Sequence, residues 1–466
     1  MATPRLFPQI LAAEIDGRAH NVQYRQVQFN RLQSNIVLQT DELTQALLEW
    51  TGHTLEEVRA EICLALDEIR THYDSLDAEK NLQEEYSIFH GKDFREGKRG
   101  VGIVYIVPIG HTIFFSAISA IAAALAAGNC VILELKGNAP IIKLLQDLLI
   151  QALDRDTFAI SEKRPDDAFL RKTLLINQEE SMSSRVAAVV DRSADIAKAA
   201  DRLVSARFAF GGASPYSPDI VLVHEAVLKS FLEETARGTW KYCAMNAKRS
   251  FSSESVPELL SKTEKNPDAQ VIVTGTGWGV MKVDSRESQL LQGKLNERVL
   301  LIHPCTSPDD AIEAARQNGP FAASYIFADP TSAKYLAQYI DARVSWVNHV
   351  PTEMLVGPLA SDNSPLGPST RYSPATFEIQ RSQIVTETNI SLKMKTLLHA
   401  GSTQSSEKLW REALTPLKPT RQPLGKSIGH FEQGIITGGV LTLTSLLAMT
   451  GTLVYYMGKY GSNYFA

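Results

Sequence analysis

The chain has 466 residues, of which 44% are hydrophobic and 21% charged, with 28 Gly and 21 Pro. This is an ordinary globular composition, and it excludes a collagenous, coiled-coil or largely disordered protein. Forty-seven basic against 52 acidic side chains leave a net charge of −5, so no overall basic field draws in nucleic acid, and none is expected as a partner. The length allows two or three domains that need neither disulfides nor structural metals. Cys63, Cys130, Cys243 and Cys305 form no CxxC pair, so a reducing compartment and no metal site are expected.

Met1–His20 carries Arg5, Glu14, Asp16 and Arg18 and no apolar run of signal length, so no secretory signal is expected. From Val22 to Leu76 apolar residues recur at helical spacing among charges, including Leu32, Ile36, Leu43, Leu47, Val58, Ile62 and Ile69, which predicts a pair or trio of helices. Val101–Val107 is a fully apolar strand, followed by an Ala-rich helix to Ala127, a turn at Gly128-Asn129 and a second apolar strand, Cys130–Leu133. That is a βαβ unit and predicts a parallel sheet covered on both faces. Pro140–Leu153 reads as the next helix. Lys172–Asn177, Val186–Val190, Ile220–Val223 and Val271–Thr274 read as strands, and Asp195–Phe208 as the clearest of the helices between them. The fold class is α/β. The chain holds no GxGxxG after the first strand, no GxxxxGK[ST], no GxSxG and no HExxH, so no independent motif points to a nucleotide, an activated serine or a catalytic metal.

Thr386–Glu432 is rich in Pro, Ser, Thr and basic residues, with seven basic and four acidic side chains, and reads as a linker. Gly434–Gly458 follows, twenty-five residues without a charge, about 37 Å as a helix against roughly 30 Å of hydrocarbon. Five Gly and five Thr dilute its hydrophobicity, and Gly434 and Gly438 have the spacing of a weak helix-pairing signal. The expectation is a C-terminal anchor in a lipid bilayer, with basic flanks and the body on the cytosolic side, the endoplasmic reticulum being the expected membrane. The competing reading is a buried helix that closes the globular fold.

Two stretches carry a resemblance. Gly102–Leu133, ending Ala-Leu-Ala-Ala-Gly-Asn-Cys-Val-Ile-Leu, and Asp195–Glu225, with Ala-Arg-Phe-Ala-Phe-Gly-Gly-Ala-Ser-Pro-Tyr-Ser-Pro-Asp, resemble the early cofactor-domain segment and the nucleophile region of the aldehyde dehydrogenase superfamily. Leu290–Ile302, Asp310–Asp329 and Val344–Asn348 are similar to later stretches, and Phe377–Ile384 to the end of the oligomerisation strand, so the resemblance covers roughly residues 20 to 390. The hydrophobic tail is similar to that of the class 3, fatty-aldehyde branch. The resemblance implies a Rossmann-type parallel cofactor sheet and a second α/β domain. It divides the chain into 1–205, a cofactor-type domain with its leading helices; 206–349, a catalytic-type domain; 350–390, the return and oligomerisation segment; 391–433, the linker; and 434–458, the anchor. It also implies a homodimer, NAD(P) as cofactor and a small-molecule aldehyde as substrate.

The family's chemistry requires a Cys nucleophile, oxyanion donors, a Glu base and a nicotinamide cofactor to accept hydride. With Gly212 on the glycine of the family's GQxC motif, Ala213 falls on the Gln and Pro215 on the nucleophilic Cys. Proline removes the thiol and also the backbone N–H that serves as an oxyanion donor. His111 falls on the oxyanion Asn. Ser181–Ala187 replaces the ELGGKSP segment, with Ser181 at the general base and Glu180 one position early. Glu134 falls on the Lys that grips the adenosine ribose, and Lys294 on the Glu that holds the nicotinamide ribose. Ser214 is the hydroxyl nearest the lost nucleophile and reads as a turn residue before proline. About twenty residues are missing between Ile160 and Val186, roughly one αβ step of a cofactor sheet, and Val356–Pro365 replaces the family's late Gly-rich segment. The sequence therefore reads as a membrane-anchored aldehyde dehydrogenase homologue that is catalytically degenerate, with no catalytic or cofactor residue assigned. A functioning NAD(P)-dependent oxidoreductase on a lipid or secondary-metabolite aldehyde, working through His111, Glu180 or Ser214, is the alternative, and a scaffold with a ligand beneath Pro215 a third.

Overall fold

A computed structural model describes residues 6–246, 268–360, 370–399, 403–421 and 430–461. Helix α1 (Pro8–Asp16) leads to α2 (Val22–Leu38), α3 (Thr40–Thr51) and α4 (Leu55–Asp74), followed by the short α5 (Ala78–Glu85); the predicted group is a trio. The Asn21 side chain caps α2 by accepting from the Tyr24 N–H, and Thr54 with Glu57 closes a capping box on α4, so local signals set both starts. The spaced apolar residues Phe29, Leu32, Ile36, Leu43, Leu47, Val58 and Ile69 are all buried in one core.

Strands β1 (Lys98–Gly100) and β2 (Ile103–Val107) precede α6 (Ile113–Ala126), β3 (Cys130–Glu134), α7 (Pro140–Ala152), β4 (Phe158–Ser161), the single turn α8 (Asp167–Leu170) and β5 (Leu174–Asn177). Four of these strands form a fully parallel sheet in the order β4-β3-β2-β5. Its central strands are buried residue by residue, as the continuous apolar runs predict, and so are all fourteen residues of α6. Helix α6 packs between this sheet and α4, and its small Ala and Ser side chains permit close approach. The chain crosses from β4, at one edge, to β5, at the other, with only α8 as regular structure between them. This crossover lies within the stretch, Ile160 to Val186, where the sequence reading expects a deletion.

A second sheet holds seven strands in the order β12-β11-β6-β7-β10-β9-β8, with β6 (Val186–Val190), β7 (Ile220–His224), β8 (Ala269–Gly275), β9 (Trp278–Val283), β10 (Arg298–Cys305), β11 (Ala323–Phe327) and β12 (Ser345–Val347). Helix α9 (Ile196–Phe208) joins β6 to β7, with the Asp195 side chain accepting from the Lys198 N–H at its start. Strand β6 lies before the boundary drawn at residue 205, yet it pairs in this later sheet with β7 and β11. The strand expected at Val271–Thr274 lies within β8, but it pairs antiparallel with β9, so one edge of the parallel sheet ends in a hairpin.

Strand β13 (Glu378–Gln380), within the segment resembling an oligomerisation strand, pairs antiparallel with β1. The stretch expected to be a linker holds regular structure. Within Thr386–Glu432 the chain forms two helices, Asn389–Leu398 and Thr403–Ala413. Its prolines, Pro416, Pro419 and Pro423, all lie beyond both helices, where they cannot break them. The last helix, His430–Gly461, contains Gly434–Tyr455, 22 residues long and apolar enough by length and composition to cross a membrane. None of that stretch is buried against the described residues, so among them it is not a buried helix closing the fold.

Candidate functional site

The segment expected to hold the nucleophile follows α9. Phe210, Gly211 and Gly212 all take positive φ and turn the chain toward β7. Gly212, at φ +76°, lies so close to the next segment that an added Cβ would sit 2.5 Å from the Glu297 carbonyl oxygen. Both the backbone conformation and the space demand glycine. Gly212→Ala is expected to destabilise the fold by about 3 kcal/mol, read as a lowered urea midpoint; a loss under about 1 kcal/mol would show that the loop moves freely away from Glu297.

Ser214 is fully buried. Its Oγ accepts from the Tyr216 N–H at 3.2 Å and its carbonyl from the Ser217 N–H at 3.0 Å, so the hydroxyl oxygen caps its own turn. The carbonyl of Pro215 accepts a hydrogen bond from Lys294 Nζ at 2.8 Å. Lys294 also meets Asp219 Oδ2 at 3.0 Å, and Asp219 lies 3.6 Å from the guanidinium of fully buried Arg207. Asp219 further accepts the backbone N–H groups of Val186 and Leu295, while Arg207 donates to the carbonyls of Gly212, Pro218, Leu295 and Glu297. Thus two cations and one carboxylate fasten the loop to the sheet, and Lys294 works inside that fastening.

The residue after Pro215, Tyr216, is buried in an aromatic cluster. Its ring meets Trp346 edge-on at 5.9 Å, its carbonyl accepts from the Tyr325 hydroxyl, and its own hydroxyl accepts from the Ala360 N–H. The guanidinium of Arg371 sits 5.5 Å from the Tyr216 ring centre and 5.7 Å from that of Phe115 on α6. Arg371 also donates to the carbonyls of Glu353, Val356 and Pro358. Gly357, at φ +87°, lets this segment close on α6, because a Cβ there would lie 2.5 Å from the Phe115 ring. Side chains therefore fill the space beside Tyr216. The sequence reading missed Arg371, which lies beyond the replaced stretch Val356–Pro365; residues 361–365 of that stretch fall outside the described residues.

His111 lies in the turn between β2 and α6. Burial, reinforced by the charge of His53, pushes its pKa down to about 3, while the backbone of Leu355 opposes the shift and Arg371 and Lys294 add to it. The imidazole is therefore neutral at physiological pH. Beside it, Thr112 Oγ accepts from the Gly357 N–H at 2.9 Å. The first N–H groups of α6 are capped from another helix: the N–H groups of Phe114 and Phe115 both donate to Glu61 Oε1 of α4 at 3.1 Å. Glu61 is wholly buried and its other oxygen has no hydrogen-bond partner among the described residues. Burial raises its pKa to about 8 against the pull of the two backbone bonds. Two turns along α4, burial likewise raises Glu68 to about 7 although the Arg371 N–H and charge oppose it, and His72 is pushed down to about 4. The sequence reading assigned these charged residues no place on the helix. Their spacing with Ala65 and Ile69 places Glu61, Glu68 and His72 on the buried face.

The remaining expected positions lie elsewhere. Glu134 is buried at the end of β3, where its Oε2 accepts from the Tyr105 hydroxyl at 2.6 Å and its Oε1 pairs with Lys136 at 2.5 Å. One oxygen is thus held by Tyr105, while Oε1, apart from its ion pair with Lys136, has no hydrogen-bond partner among the described residues. Glu180 is exposed in the 3₁₀ turn Gln178–Ser183, where it accepts from the Asn177 amide; Ser181 lies in the same turn. Cys130 and Cys305 are buried, and burial pushes both thiols up to about 12, so neither supplies a thiolate. Of the seven positions, the structure brings Pro215 and Lys294 into contact and sets His111 within electrostatic reach of Lys294. At the expected ribose contacts, Lys294 does not fit a nicotinamide dinucleotide, since its ammonium is held in a buried pair with Asp219, while Glu134 pairs with the exposed Lys136.

The model of the aldehyde dehydrogenase family matches residues 12–156. Among solved structures, an AldH from Staphylococcus aureus in a substrate-bound state is 17% identical with a TM-score of 0.67, covering 88% of this chain and 100% of its own. Aldehyde dehydrogenase C from Pseudomonas syringae, a mutant with NAD+ and octanal, is 15% identical with a TM-score of 0.62, over 81% of this chain and 88% of its own. The glyceraldehyde-3-phosphate dehydrogenase GapN of Methanocaldococcus jannaschii, in complex with NADP, is 14% identical with a TM-score of 0.61, over 82% and 93%. The sequence matches none of the curated proteins with which it was compared. The protein thus has an α/β, aldehyde dehydrogenase-like fold, built from a parallel sheet and a second, larger sheet.

Proposed function

We propose that this protein is a membrane-anchored, catalytically inactive relative of the class 3 aldehyde dehydrogenases. It keeps the fold as a scaffold after losing the chemistry. The observation that carries the reading is the contact between the position expected to hold the nucleophile and one expected to hold the cofactor ribose. Pro215 offers neither thiol nor N–H, and its carbonyl is held by Lys294, whose charge is committed to buried Asp219. Acyl transfer on this fold requires a nucleophile and oxyanion donors at that turn. Here the turn has been rebuilt as a structural joint. Gly434–Tyr455 supplies the anchor, with the body on the cytosolic side, at the endoplasmic reticulum. A homodimer would form along the β1–β13 ribbon, where Ile379 and Ile384 are more than half exposed.

Calorimetric titration of NAD+ or NADPH into the full chain in detergent is expected to give no binding heat up to millimolar cofactor, a Kd above about 1 mM. Micromolar binding would overturn the reading and favour an oxidoreductase acting on a lipid or secondary-metabolite aldehyde.

A further inference from the structure

The two helices found where a linker was expected have the pattern of a membrane-surface element. On Asn389–Leu398, the side chains of Ile390, Met394, Leu397 and Leu398 fall within about 100° of one another around the axis, and Ile390 and Leu398 are 70% and 82% exposed. Lys393 flanks this stripe on one side and Lys395 on the other. On Thr403–Ala413, Leu409, Ala413, Trp410 and the following Leu414 share a face, with Lys408 and Arg411 on the opposite one. Trp410 and Leu414 are 56% and 61% exposed. Helices of ten and eleven residues are too short to span a bilayer. Apolar stripes bordered by lysines suit a helix lying in the headgroup region, where the ammonium groups reach up to phosphate and carboxylate.

Charge and tether favour lipid over a protein partner. Residues 387–421 hold six basic and three acidic side chains in a chain whose net charge is −5, so this segment is the part that an anionic surface attracts. Lys395 pairs with Glu387 and Arg411 with Glu407, but these are exposed pairs of little strength, and they leave the cations available. Sixteen residues, 414–429, separate the second helix from the last one. At most about 55 Å of chain is available between them, so a span at Gly434–Tyr455 would hold both helices at the membrane surface at high effective concentration.

We propose that Asn389–Leu398 and Thr403–Ala413 form an interfacial foot that lies on an anionic lipid surface and seats the body against it. The foot rests on the reading of Gly434–Tyr455 as a span, so the test separates the two. In the full chain, Leu446→Asp with Leu447→Asp disables insertion without adding cations. The wild-type chain is expected to stay with vesicles through alkaline carbonate. The double variant should be released by carbonate, yet should float with phosphatidylserine-containing vesicles at low salt, not with phosphatidylcholine alone. Adding Lys393→Gln, Lys395→Gln, Lys408→Gln and Arg411→Gln should lower that partition by at least about tenfold. A folded double variant that ignores anionic vesicles, that binds both vesicle types equally, or that is indifferent to the four Gln substitutions would overturn the foot and leave the span untouched. Carbonate release of the wild-type chain would defeat the span reading, and it is told apart because the foot is read where the span is already disabled. Self-association without vesicles that Trp410→Ser abolishes would assign the face to a second copy and also overturn the proposal.

Discussion

Replacing Asp219 with Asn is expected to destabilise the protein by about 3–5 kcal/mol, the usual loss when one partner of a buried ion pair is removed and the other charge stays behind. Two charges would be stranded here. Arg207 is fully buried, Lys294 is 8% exposed, and Asp219 faces both while also accepting the N–H groups of Val186 and Leu295. Burial already depresses the pKa of Lys294, with the Asp219 charge opposing that shift, so losing the carboxylate would favour a neutral amine. Urea denaturation followed by circular dichroism measures the loss, and a midpoint within about 1 kcal/mol of wild type would show that the cluster is solvated. In a double-mutant cycle, Asp219→Asn with Lys294→Met should lose less than the sum of the single variants, because the second change removes a stranded charge. The same geometry bears on function. Lys294→Glu, which restores the residue implied by the family resemblance, would set a second carboxylate beside buried Asp219. It should unfold the loop sooner than rebuild a ribose contact.

The fold was legible where one periodicity dominated. The runs at β2, β3, β6 and β7 are apolar at nearly every position, and burial on both faces follows from that alone. The trio α2–α4 was legible because its apolar residues keep helical spacing between clear caps. The hairpin of β8 and β9 was not, since an exposed antiparallel edge and a buried parallel strand both begin as short β-branched runs. The two helices before the last one were hidden by composition: Ser, Thr and Lys dilute an amphipathic pattern that prolines confine but do not interrupt. In the site, sequence placed Pro215 and Lys294 at expected functional positions but not in contact, because their meeting depends on Asp219, which pairing in the sheet brings beneath them. Arg371 and Glu61 were invisible for a related reason. A lone charge in a sequence carries no mark of burial, and its partners here are backbone groups of distant segments.

Stability should fall between pH 6.5 and 8, and Glu61→Gln should remove most of that fall. Glu61 and Glu68 are raised to about 8 and about 7 from 4.5, so between pH 4.5 and those values the folded chain holds protons that the unfolded chain has released. Their contribution is greatest below pH 4.5 and is lost as pH rises toward the folded pKa values. His72 and His111 are lowered to about 4 and about 3 from 6.5, so they favour the folded state increasingly up to pH 6.5 and add no slope above it. The two pairs roughly cancel between pH 4.5 and 6.5; beyond that the carboxyls act alone. For Glu61 the 1.5 units from 6.5 to 8 correspond to about 2 kcal/mol, with a smaller share from Glu68. Glutamine keeps an oxygen for the Phe114 and Phe115 N–H groups and removes the titration, so urea midpoints at the two pH values should converge in the variant. An equal slope in wild type and Glu61→Gln would refute the assignment. A fall of this size would mean that the start of α6 is capped by a neutral acid at physiological pH. The positive end of that helix, next to His111, would then be closed from within the fold.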